Sequence, residues 1–118
     1  MTRRIAAITW TIVLIVATLL PKEVVSQNTF FNIPHFDKVY HFCSYALLIF
    51  LWAASLIEKT EKIRAARIAF YGSILMGVLL EVLQWQLNVG RHFEILDIIA
   101  NISGSIAGLI VFYKLFKH

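Results

Sequence analysis

The chain is 118 residues long, 59% hydrophobic and 15% charged, with a formal net charge of +4. Soluble domains run roughly 45–50% apolar and about 25% charged, so this balance excludes an ordinary soluble fold and points to one membrane domain, residues 1–118. The single cysteine, Cys43, excludes an intramolecular disulfide and a zinc site built on paired cysteines, and within its apolar run it reads as a small packing residue.

The first apolar stretch runs from Ile5 to Leu20 and stops at Pro21-Lys22, a span of about 5–21. A transmembrane helix needs about 20 predominantly apolar residues, within a range of about 17–25, so this stretch is short. Arg3-Arg4 precede it as in a signal peptide, but no small-x-small cleavage site lies before Pro21, and an uncleaved span is predicted. Trp10 lies mid-span and is expected to pack against lipid or another helix. A longer loop follows to Asp37, with Phe30-Phe31 suited to the outer interface. Three further apolar stretches cover about 39–57, 65–87 and 95–116, each long enough to span. The predicted fold class is an all-α membrane protein, a bundle of four transmembrane helices with antiparallel neighbours.

Basic residues set the orientation. Arg3, Arg4, Lys59, Lys62, Arg64, Arg67, Lys114 and Lys117 fall on one side of such a bundle, while Lys22, Lys38 and Arg91 fall on the other. Excess Lys and Arg marks the cytoplasmic side, which puts both termini in the cytoplasm and the protein in the inner (cytoplasmic) membrane. The loop from Lys59 to Arg67 then reads as a topology determinant touching anionic headgroups, not as a nucleic-acid site.

The polar residues within or beside the spans share one depth, toward the outer side. Asp37, Lys38 and His41 open span two, Glu81 and Gln84 close span three, Arg91 and His92 follow in the loop, and Asp97 and Asn101 open span four. Ionisable residues in a span are costly and mark function or pairing. Helical spacing places Asp37, His41 and Tyr45 on one face, Glu81, Gln84 and Trp85 on another, and Asp97, Asn101 and Ser105 on a third. Three polar stripes can thus meet at one centre, with Arg91 as counter-charge above it.

Plainer readings stand beside this one. Asp37 suits an N-cap of span two, whereas Ile95-Leu96 before Asp97 place that residue inside its helix. A Glu81–Arg91 or Asp97–Arg91 pair can simply staple the last two spans, with Gln84 and Asn101 as interhelical hydrogen-bonding residues. His41 suits a phosphate-binding imidazolium, a general base, or a metal ligand beside Glu81 and Asp97; no resident metal or cofactor is expected. His35, His92 and Glu94 read as solvent or interface residues. Gly104 and Gly108, and Ser73 and Gly77, are small pairs four apart. They fit close packing within the monomer, with a homodimer through Gly104 and Gly108 as the alternative.

Several runs carry a family resemblance: Leu19-Leu20-Pro21, Asp37-Lys38-Val39-Tyr40-His41-Phe42, Glu81-Val82-Leu83-Gln84, and Arg91 through Asn101 followed by Gly104 and Gly108. In this order, over nearly the whole chain, they resemble the VanZ-like family of small membrane proteins. The resemblance implies a link to resistance against the glycopeptide teicoplanin, whose target is a cell-wall precursor outside the membrane. Three functions stay open. One is a binder of an amphiphilic drug or lipid-linked cell-wall precursor, using Asp37, Lys38, His41, Glu81, Gln84, Arg91, Asp97 and Asn101. The second is an enzyme acting on a lipid phosphate, although Ser44 and Ser103 sit in no nucleophile motif. The third is a small dimeric transporter, against which the lack of a carboxylate in span one counts. Membrane lipids are the expected surroundings in every case.

Overall fold

The computed structural model describes residues 2–19, 36–87 and 95–116, without the side chains of 36 and 37. Among these residues are four helices and no strand: α1 (Thr2–Leu19), α2 (Phe36–Leu56), α3 (Lys62–Gln86) and α4 (Ile95–Leu115). Each is long and apolar enough to cross a membrane. The Phe30-Phe31 loop, His35, Arg91, His92 and Glu94 lie outside the described residues.

The first three helices begin about three residues before their apolar runs, and α4 begins with its own at Ile95. α1 takes in Arg3 and Arg4, and α3 starts at Lys62 rather than near Ala65. Lys and Arg are good helix formers, and their long stems let charge reach the headgroups while the backbone stays helical. α2 begins at Phe36, so Asp37 sits in its first turn and does not precede the helix.

Polarity is inverted relative to a soluble protein. Ile5, Ile12, Leu75, Leu79, Ile99 and Ile110 are among the large apolar side chains that face outward. His41, Glu81, Gln84, Asp97, Asn101 and Ser105 are buried inside. In water such a surface would aggregate; in lipid it is the stable arrangement, because polar groups find partners only inside the bundle. Cys43 is exposed on α2 and is not a packing residue of the core.

α2 and α4 make the closest approach. A Cβ on Gly104 would run into the Phe42 carbonyl oxygen, and one on Gly108 into that of Ala46. The glycine pair is therefore spent inside the monomer, against α2. Contacts between these two helices run in the same order along both. Those between α1 and α2 run in opposite order: Arg3 Nη1 donates to the Ala54 carbonyl at 3.2 Å and Trp10 Nε1 donates to the Ser44 carbonyl at 3.0 Å. Trp10 thus packs against a helix and satisfies its indole there. Trp52 Nε1 donates to Thr11 Oγ1, which donates in turn to the Ala7 carbonyl.

One end of the bundle gathers the start of α1, the end of α4 and the α2–α3 turn. Arg3 lies 3.9 Å from Glu58 and covers the Phe116 ring, and Lys62 covers the Tyr113 ring. An aliphatic and aromatic core of Ile49, Ala53, Ala66, Ala69 and Phe112 fills this half. The opposite half holds the polar residues.

Candidate functional site

Asp97 is the hub of that polar half. It lies in the first turn of α4, where the helix dipole favours a carboxylate. Lys38 Nζ donates to its Oδ1 at 2.7 Å. His41 Nε2 stands 3.7 Å from its Oδ2. One turn deeper, His41 Nδ1 is 2.9 Å from Asn101 Oδ1. Lys38 and His41 are three apart on α2, and Asp97 and Asn101 four apart on α4, so each pair projects from one helix face. The two glycines further along α4 bring those faces together.

Both ring nitrogens of His41 face protein groups. As placed, Nδ1–H donates to Asn101 Oδ1, and an imidazolium completes the set with Nε2–H toward Asp97. With the Asn101 amide turned over, Nδ2 donates to Nδ1 of a neutral ring whose Nε2–H points to Asp97. The second arrangement also gives a partner to Asn101 Nδ2, a buried atom that has none as placed. In neither arrangement does a lone pair of His41 face outward.

α3 supplies the next layer. Glu81 is 2% exposed. Together with Tyr40 it is an electrostatic neighbour of the buried Tyr45 hydroxyl, and the Tyr45 ring stacks 6.4 Å from that of His41. Gly77, one turn before Glu81, makes room: a Cβ there would meet Asn101 Nδ2 at 2.9 Å and Tyr45 Cε2 at 3.3 Å. Gln84 Nε2 donates to the Thr18 carbonyl and so ties α3 to α1.

Of the residues expected in the cluster, Lys38, His41, Asp97 and Asn101 stand together in the structure, with Glu81 and Gln84 buried on α3. The side chain of Asp37 and all of Arg91 lie outside the described residues. Trp85, four residues from Glu81, points away instead and is 58% exposed. Lys38 is the cation on Asp97, joining α2 to α4. Thr18 is a site neighbour that the sequence reading passed over; its signal was a hydroxyl near the end of the first span, seven residues beyond Thr11. Among the described residues no three His, Cys, Asp or Glu side chains converge as a metal-ligand set, so His41, Glu81 and Asp97 do not form one.

Chemically, the arrangement presents an ammonium anchored on a carboxylate, above a buried column of hydrogen-bonding groups. The Lys38 side chain is 23% exposed and that of Asp97 11%, so this pair is the accessible edge of the column. The VanZ/LLP1 family model matches residues 3–117 of the chain. No curated protein and no solved structure matches it.

Proposed function

We propose, on the premise that the chain belongs to the VanZ/LLP1 family, that it holds the acidic headgroup of an amphiphilic or lipid-linked cell-envelope ligand at the Lys38–Asp97 edge. The observation that carries this reading is the 2.7 Å Lys38–Asp97 pair, partly exposed, on a buried polar column at the bundle end away from the start of α1 and the end of α4. An ammonium has three donors, so Lys38 can hold Asp97 and a phosphate oxygen together. The link to teicoplanin then rests on this grip on a cell-wall precursor.

Orientation follows from charge. Arg3, Lys59, Lys62 and Arg64 cluster at the end that gathers the start of α1 and the end of α4, which supports a cytoplasmic placement of that end and an outward-facing polar site. Reporter fusions at Met1 and His118 should both fluoresce as cytoplasmic green fluorescent protein, with no periplasmic phosphatase activity. Phosphatase activity at either end would reverse the site's orientation.

Binding is favoured over turnover because His41 has no ring nitrogen facing outward. A base or nucleophile must reach the atom it attacks. The deciding experiment is titration of the purified protein with a polyprenyl phosphate, read by native mass spectrometry. Lys38→Ala and Asp97→Asn should each weaken the adduct at least about tenfold. Equal adducts in wild type and both folded variants would sink the reading, and release of inorganic phosphate would favour the enzyme instead.

A further inference from the structure

We propose a second lipid site at the opposite end of the bundle: a cleft between α1 and α3 that takes one acyl chain of an anionic membrane lipid, whose phosphate lies between Arg4 and Arg64. The cleft measures about 260 Å³, and Thr11, Leu48, Trp52, Ile68, Gly72 and Met76 line it. It lies within the membrane-spanning segments, so the medium outside it is hydrocarbon.

Its wall is largely apolar, with the Ser73 hydroxyl also in the lining. The Trp52 indole N–H is taken by Thr11 Oγ1, whose own proton goes to the Ala7 carbonyl. An apolar cavity of roughly 150 Å³ stays dry and accepts benzene; this space is larger and open to lipid. Gly72 borders this open space, since a Cβ there meets nothing within 4 Å. From Ile68 to Met76 the lining runs about 12 Å along α3, at about 1.5 Å per residue, which is room for a good part of one alkyl chain.

The mouth nearest the start of α1 is basic. Arg64 lies four residues before Ile68 and Arg4 seven before Thr11, so each occupies the helix face whose next turns line the cleft. Both are exposed. Lys62 and Arg67 add to the same field, which complements an anionic headgroup and gives nothing special to a zwitterionic one.

The test uses the full chain, stripped of lipid in detergent and offered phosphatidylglycerol or phosphatidylcholine, with retention read by native mass spectrometry. One phosphatidylglycerol should stay bound in preference to phosphatidylcholine. The paired change Arg4→Gln with Arg64→Gln should weaken it about thirtyfold, and Gly72→Leu, which fills the cleft, should abolish it. Lys38→Ala should leave it unchanged, which separates this site from the headgroup site above. Should Gly72→Leu fail to fold, phosphatidylglycerol with a diazirine on its acyl chain decides the matter in the wild type. Labelling should fall on Thr11, Trp52 and Met76 in preference to the outward-facing Leu75 and Leu79. Equal retention of the two lipids, equal labelling of both faces, or cross-linking of a second copy at Gly72 would each overturn the proposal.

Discussion

At the scale of single residues, the polar half turns on one carboxylate. Asp97 accepts from Lys38 and stands beside His41, so Asp97→Asn removes a charge on which two other groups depend. It should lower stability in micelles by about 1–3 kcal/mol, as for a charge-assisted bond broken on one side. Equilibrium unfolding by steric trapping reads this directly. A double-mutant cycle of Lys38→Met with Asp97→Leu should give a coupling of about 0.5–3 kcal/mol. Additive losses would mean that the pair is only a neighbourly contact. Much of this centre was legible beforehand. The four-residue spacing of Asp97 and Asn101 put that pair on one face. Spacing grouped His41 with Asp37 and Tyr45 and not with Lys38, and the shared depth of all of them follows from span order. The Lys38–Asp97 pairing was not legible. Lys38 reaches Asp97 across 59 residues, and Arg91, the counter-charge expected from the neighbouring loop, lies outside the described residues. That pairing depends on how deeply α2 and α4 interlock, which no local spacing states.

At the scale of helices, the interlock is a matter of glycine. A side chain at Gly104 runs into the Phe42 backbone and one at Gly108 into Ala46 and Ile49. Backbone cannot swing aside as a side-chain tip does. Gly104→Ala should therefore cost about 1–3 kcal/mol, while Gly72→Ala, facing open space, should be neutral or slightly stabilising through helix propensity. The two glycines have the same composition and opposite consequences, and thermal melts of the pair would check the contrast. The sequence reveals a small-residue pair four apart, but not whether it receives a helix of the same chain or of a second copy. Helix starts were legible only to within about three residues, because hydropathy marks the apolar slab and not the helix. Trp10 was legible as a misfit at mid-span. Its partner, the Ser44 carbonyl, appears only once α1 is laid against α2.

For the whole molecule, the bundle is 44 Å long and about 22–23 Å across, a length that matches a bilayer of about 40–45 Å including its headgroup regions. Its two ends differ in kind. One holds cations over aromatic rings, Arg3 over Phe116 and Lys62 over Tyr113; the other holds anchored ions and amides. The inverted polarity of the fold has an evolutionary corollary. On the lipid-facing side one aliphatic residue serves as well as another, so positions such as Leu75, Leu79 and Ile110 are free to drift among Leu, Ile, Val and Phe. The room to vary narrows to nothing along a thin internal thread: Lys38, His41 and Tyr45, then Gly77 and Glu81, then Asp97, Asn101, Gly104 and Gly108. A saturation scan of the gene, scored by how much folded protein reaches the membrane, would trace that thread as a line of intolerant codons through an otherwise permissive chain.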